Sequence, residues 1–533
     1  MKLKVIRQEE WEFMERPNLE GEFSREKYHT AKIWQIAFFA LNNSATNLFL
    51  FGMGFVTYYA TGVAGLAVMT VSTILGLMRV FDSITDPILG FILDKTETKF
   101  GKFRPIMIIG NIVLLVTFLL MFNVLHLFPQ NLQLVVFVLL QFFYIIGYTM
   151  QTTVTRAAQT VLTNHPRQRP LFSIFDAIFT LSLFTFGQIY ASQYLIGKYG
   201  DFTYSYFIEL SFTFAAVGLL FTVLAVFAIR TKDRKEFYGI AEINVQTRFR
   251  DYWPVLKRNR ALQMLVISAA TDKFAAMFMN QQVVQVMFFG ILLGNFALSG
   301  QISLIVLVPS LIFIFVGVRY AQNLGLRRAL VLFSYVGAIS FTLLFIMMLV
   351  FDTKSFAFDN WGVLSIVFLV LYSFGRAIST LTPSIVIPMI GDVSDYETYS
   401  SGRYIPGMIA TLFSFVDKMV SSLTPFVVGA MVSMIGFADE FPTVTDEQTT
   451  GLLWVGLMCM LGFPILGWVT SIIALRFYPL TKEKMSEIHE EMNNTKNFIL
   501  DARDRKLAEE QVIENKDENL EEDVERDEED KKQ

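Results

Sequence analysis

Twelve stretches of this chain are apolar enough and long enough to cross a lipid bilayer, and few folds accommodate that. A bilayer core takes roughly 20 apolar residues per helix. The stretches fall at about 33–60, 66–93, 105–128, 132–155, 171–195 and 205–229. They resume at about 261–290, 298–319, 329–352, 361–390, 405–436 and 451–477. Each is too long and too evenly apolar to be one of the short alternating strands of a barrel. Composition points the same way. Of 533 residues 53% are hydrophobic and 17% charged, against about 25% charged in ordinary soluble domains. The expectation is an all-α membrane protein.

Lysine and arginine orient the spans. The loop after the second span holds Lys95, Lys99, Lys102 and Arg104, and the loop after the fourth holds Arg167 and Arg169. The stretch near 230–260 holds nine basic residues, from Arg230 to Arg260. Arg319, Arg327 and Arg328 follow the eighth span and Arg403 the tenth, whereas the odd-numbered loops offer only Lys198 and Lys354. Even loops and both termini are therefore expected in the cytoplasm, with the whole chain in the cell membrane.

The basic centre divides the chain into an N-terminal extension (1–32), a first six-helix bundle (33–229), a central loop (230–260), a second bundle (261–477) and an acidic tail (478–533). From Thr481 onward the chain carries 19 acidic and 10 basic residues; the tail past Tyr478 reads as helical to disordered, and the run Glu521 to Asp530 is too acidic to pack a core. Two pseudo-equivalent bundles with a site between them outline a secondary transporter. Other chemistries find little support. Cys459 has no second cysteine to bridge, and His29, His126, His165 and His489 lack metal-ligand spacing. Phosphate-loop and Gly-x-Ser-x-Gly patterns are missing, so neither ATP hydrolysis nor nucleophilic catalysis is expected, and no cofactor or nucleic-acid partner.

The informative residues are the charges inside spans, where they are costly and usually functional. Arg79, Asp82 and Asp86 stand three and four apart, on one helical face. Two carboxylates one turn apart suit a sodium ion or a proton; an ion-pair network with Arg79 is the structural alternative. Asp176, Asp272–Lys273, Arg376 and Asp417–Lys418 are further intramembrane charges. Adjacent helical residues point about 100° apart, so the two Asp–Lys pairs are not simple internal bridges. The seventh span adds Asn280, Gln281, Gln282 and Gln285, which either bind a polar solute or join helices.

One run is more specific: Arg79-Val-Phe-Asp82-Ser-Ile-Thr85-Asp86-Pro87-Ile-Leu-Gly90, then Asp94-Lys-Thr96 and Lys99-Phe-Gly101-Lys102-Phe-Arg104-Pro105. A second is Gly391-Asp392-Val-Ser-Asp395-Tyr396-Glu397 followed by Gly402-Arg403. Together they closely resemble the signatures of the glycoside-pentoside-hexuronide:cation symporters, the melibiose-permease-like branch of the major facilitator superfamily. The resemblance covers roughly 30–480 and implies twelve helices in two pseudo-symmetric six-helix bundles.

It also implies roles. Asp82 and Asp86 match the family's cation ligands, with Thr85 where Asn is common and Thr149 matching a fourth-span threonine. That makes sodium binding at Asp82 and Asp86 an expectation. On the sugar side Asn47 and Thr152 stand where relatives carry acids, Arg156 where they carry an aromatic, and Asp176 where they carry arginine. Lys418 is retained beside Asp417, and all six positions are candidate substrate ligands. Asp94, Lys102, Arg104, Asp392, Asp395, Glu397 and Arg403 are expected to form charge locks between the bundles. The implied function is symport of a sugar or glycoside with sodium or a proton, by a monomer in the bilayer. A lysolipid carrier of the same family and a transport-inactive membrane sensor or enzyme are the alternatives.

Overall fold

The computed structural model describes residues 30–96, 98–163, 168–234, 256–356, 362–401 and 406–494. Among them twelve helices are long and apolar enough to span a membrane. They are α1 (Ile33–Val63), α2 (Val68–Leu93), α3 (Arg104–Asn123), α4 (Gln130–Ala157), α5 (Leu171–Tyr199) and α6 (Tyr204–Ile229). The second set is α7 (Arg260–Asn280), α8 (Ala297–Leu324), α9 (Leu326–Val350), α10 (Val363–Ser401), α11 (Leu412–Met434) and α12 (Thr450–Arg476).

Their packing repeats. In the first half α1 packs on α6, and α3 packs on α4 and α6; in the second α7 packs on α12, and α9 packs on α10 and α12. The halves meet through α2 against α11 and α5 against α8, two seams related by the same pseudo-twofold. Large apolar side chains are exposed in stripes, such as Leu77, Ile84, Ile88 and Phe91 along α2. These positions repeat every three to seven residues, so they form one lipid-facing face of the helix. The opposite faces bury a core rich in phenylalanine, including Phe49, Phe118, Phe122 and Phe207.

Several helices are not continuous. The run predicted at about 261–290 ends as an α-helix at Asn280, passes through extended Gln281 (ψ 128°) and resumes at Gln282. Periodicity could not show this, because Asn280, Gln281 and Gln282 are helix-compatible and neither Gly nor Pro marks the break. α10 has 39 residues, with Pro383 and Pro388 inside it. At 1.5 Å per residue that is about 58 Å, so it projects well beyond the lipid.

Contacts between the halves gather at the end away from the chain termini. Tyr58 donates to the Pro442 carbonyl at 3.1 Å, and the Val68 amide to the Ala438 carbonyl at 3.0 Å. Asp201 accepts from Thr445, and Gln188 Nε2 donates to Ser299 Oγ at 2.9 Å. Gly429 is pressed so closely on Ser72 that a Cβ there would overlap the serine side chain.

At the other end, a short helix after the last span packs within the second half. Residues 482–494 are helical and lie against the second half, burying Met485 and Ile488 in a core with Tyr478 and Leu480. Lys482 donates to the Asn323 carbonyl, Glu483 pairs with Arg328, and His489 meets Asp395 at 3.0 Å. The first part of the acidic tail is thus packed structure, which its charge alone did not reveal.

Candidate functional site

The spacing of Asp82 and Asp86 works as the sequence suggests, because one turn of α2 brings both carboxylates to the seam with α11. Asp82 is buried, and Thr149 of α4 donates to its Oδ1 at 2.9 Å. Thr85 completes the cluster, its hydroxyl 3.1 Å from that of Thr149. The four residues expected to hold a cation are therefore gathered at one place.

Their main partner comes from the other half of the molecule. Lys418 of α11 reaches across with Nζ 3.0 Å from Asp82 Oδ2 and 2.5 Å from Asp86 Oδ2. An ammonium ion thus sits between the two carboxylates. The sequence reading grouped Lys418 with the sugar ligands; the structure puts it inside the carboxylate cluster. Two carboxylates against one ammonium leave a net charge of −1. Asp417 lies within electrostatic reach of Lys273, Lys418 and Arg79, so the carboxylate cluster continues into a wider set of charges.

The remaining sugar-ligand candidates are spread along the first half. Asp176 of α5 accepts from Asn43 Nδ2 of α1 at 2.6 Å. Asn47, one turn further on, donates to Thr180 at 3.4 Å. Both pairs join α1 to α5. Thr152 turns its hydroxyl back to the Thr149 carbonyl at 3.2 Å. Arg156 is exposed near the end of α4. In the second half Asp272 is buried, accepting from Ser471 Oγ at 3.0 Å, while Ser471 shares a bond with Ser268. No group of three or more His, Cys, Asp or Glu with metal-site geometry occurs among the described residues.

The lock candidates divide differently from the expectation. Arg104 bonds to Asp233 through its backbone amide at 2.9 Å and its Nε at 3.3 Å. The amides of Lys102 and Phe103 point at the same carboxylate, at 3.0 and 3.2 Å. Asp233, almost fully buried, is thus the anion at the N-terminus of α3, where free amides and the helix dipole favour negative charge. The sequence reading missed it because it sits among Arg230, Lys232, Arg234 and Lys235 and looked like part of a basic loop. Glu397 accepts from Asn259 Nδ2 at 2.7 Å, tying the end of α10 to the start of α7. Asp392 lines a cavity of about 440 Å³ with Tyr478, Met485 and His489. These contacts of Arg104, Asp395 and Glu397 all lie within one half. The side chain of Asp94 and all of Arg403 lie outside the described residues.

With this geometry in place, comparison with known proteins is decisive. The sequence profile of the MFS/sugar transport protein family matches residues 38–482. The chain belongs to that family. Among relatives of this MFS sugar-transport chain, a glucuronide carrier protein homolog of Escherichia coli (strain K12) is 24% identical over 86% of the chain and 95% of its own length. The uncharacterized symporter YjmB of Bacillus subtilis (strain 168) is 23% identical over 84% of the chain and 92% of its own length. The inward-open structure of the xylose transporter XylE from E. coli shares the fold at TM-score 0.54, with 13% identity over 86% of the chain and 98% of XylE. The MFS sugar-transport chain is therefore a multi-pass membrane protein whose relatives are transporters.

Proposed function

We propose that the chain is a secondary transporter that carries a sugar or glycoside together with one cation, sodium or a proton, by alternating access. The observation that carries this reading is the cluster of Asp82, Asp86, Thr85 and Thr149 with Lys418 between the carboxylates. Hard oxygen ligands suit sodium or a proton, which would compete with Lys418 for the same carboxylates. The site is made by both halves, so occupancy is linked to how they are arranged. The glucuronide carrier homolog supports a sugar-derived substrate.

The basic even loops place the termini end in the cytoplasm. Apart from Lys418 on Asp82 and Asp86, the contacts across the halves among the described residues lie at the opposite end, which supports an inward opening. Asn47, Thr152, Arg156, Asp176, Asp417 and Lys418 remain the substrate candidates. The protein works in the cell membrane as a monomer without a cofactor. A lipid carrier would need an apolar opening that the rocking halves alternately expose. An apolar cleft of about 300 Å³ lined by Leu41, Phe179, Phe186 and Phe214 lies wholly within the first half.

The test is accumulation in proteoliposomes under an imposed sodium or proton gradient, across a panel of sugars and glycosides. One charge moved through 100 mV is worth about 2.3 kcal/mol, which supports roughly fortyfold accumulation. Asp82→Asn should reduce that to equilibration while the protein still reconstitutes. Undiminished accumulation by Asp82→Asn would remove the cation assignment.

A further inference from the structure

Arg376 of α10 carries a charge that no carboxylate among the described residues pairs with. The exposed apolar residues Val363, Ile366, Val367, Val370 and Phe374 form the lipid-facing stripe of this helix. At 100° per residue Arg376 stands roughly 140° from the centre of that stripe, on the side turned into the protein. Even so it is only half-buried, so it opens onto space inside the molecule rather than onto lipid. It lies about 20 Å along the helix from Val363, and Asp82 lies at a similar distance from Val68. The two positions share a depth within the membrane.

The guanidinium has an amide for a partner. Nη1 and Nη2 both donate to Asn280 Oδ1, at 3.2 and 3.1 Å. Among the described residues it makes no ion pair with a carboxylate. Lys418, by contrast, has Asp82 and Asp86, and Lys273 and Arg79 have Asp417 nearby. A dipole shared by two N–H groups does not replace a counter-charge at membrane depth.

The position of Asn280 adds a second, independent observation. It is the last residue before α7 breaks at Gln281. Gln285 Nε2 takes up the freed Met279 carbonyl at 2.6 Å. Irregular backbone at this depth is tolerated where it is packed in protein or lines a cavity, and broken helices mark ligand sites in transporters. Just past the break Gln282 crosses to Gln188 of the first half at 3.3 Å, within the closed end. Arg376 and Asn280 therefore stand on the inner side of that closure.

We propose that Arg376, presented by Asn280, is a carboxylate subsite, and that the preferred substrate is an acidic sugar such as a hexuronic acid or its glycoside. A guanidinium offers two parallel N–H donors that match a carboxylate and supply the missing charge balance. Asn280 holds the fork open between loads and is the partner exchanged when substrate arrives. The proposal rests on the sugar:cation symport reading and narrows its substrate.

The experiment compares two glycosides that differ only at C6, phenyl β-D-glucuronide and phenyl β-D-glucoside, in proteoliposomes under sodium and proton gradients. The wild-type protein should favour the glucuronide. Arg376→Gln should weaken apparent affinity for the glucuronide by about tenfold or more and leave the glucoside within about twofold. Arg376→Lys should restore part of the difference. Cation-dependent thermal stabilisation of each purified variant should match the wild type, which separates loss of the subsite from loss of fold. Equal losses for both glycosides, unchanged glucuronide affinity in Arg376→Gln, or wild-type preference for the glucoside would overturn the subsite and leave symport standing. Failure of the wild type to accumulate any sugar under either gradient would overturn both readings.

Discussion

The two ends of the molecule are held together by different chemistry. At the end away from the termini the described residues join the halves without ion pairs: Tyr58 on a carbonyl, Gln188 on Ser299, Gly429 against Ser72, and Asp201 accepting from the neutral Thr445 hydroxyl. At the termini end the strong contacts are charged and stay within a half, as with Asp233 at the start of α3 and Glu397 on Asn259. Neutral contacts cost little to desolvate and to re-expose, so they suit a surface that must open and close. Buried charge is costly to separate, so it suits joints that move as rigid units. Lys418 between Asp82 and Asp86 is the exception, a charged contact placed where the halves meet.

The strongest way to break this contrast is a wedge. Gly429→Val should hold α11 off α2 at Ser72, and the closed end should fail to form. Uptake should drop by about tenfold or more, since opposing two packed helices tolerates no added bulk. A cysteine introduced at Ser422, buried on α11 about two turns before Gly429, should label faster from outside. The background helps, because the native Cys459 is buried. Normal uptake with normal labelling would show that the halves do not close on this contact.

Asp233→Ala attacks the other end. Three backbone amides at the start of α3, those of Lys102, Phe103 and Arg104, lose this acceptor, and the loss of stability should be about 2 kcal/mol, read as a lower unfolding temperature of purified protein. The variant should affect stability more than the direction of opening. A change in opening without a change in stability would make Asp233 part of the switch after all.

Gln188→Leu removes one neutral bond across the halves. Hydrogen bonds between membrane helices average about 0.6 kcal/mol, so a two- to threefold shift toward outside labelling of the Ser422 cysteine is expected. The smallest effect should come from Arg328→Ala. Its pair with Glu483 is exposed on both sides, and such pairs contribute about 0–1 kcal/mol. Transport should be unchanged, and a transport defect would give the helix at 482–494 a larger part than packing.

How much of this was legible in the sequence depends on the distance between partners. The twelve spans were readable because each declares itself by its own composition. The face shared by Asp82 and Asp86 was readable because helical spacing is local. Lys418 was recognisable as an intramembrane charge, but its partners lie 332 and 336 residues away and no local rule pairs them. Arg376 and Asn280 were both noted, and only the break at Gln281 and the folded second half show them to be partners. Asp233 was hidden by its basic neighbours. The seven lock candidates were chosen by a motif, and a motif does not say whether an acid serves its own half or the other one.

Lys418 has a consequence best put as linkage. In the proposed symport its amine, set on Asp82 and Asp86 in this arrangement of the halves, competes with the incoming cation for the same oxygens. Whatever factor the closure subtracts from ion affinity, ion binding must subtract from the closure. Coupling then needs no separate relay between an ion site and a gate. One tethered charge reports the shape of the carrier to the ion, and the occupancy of the ion site to the carrier.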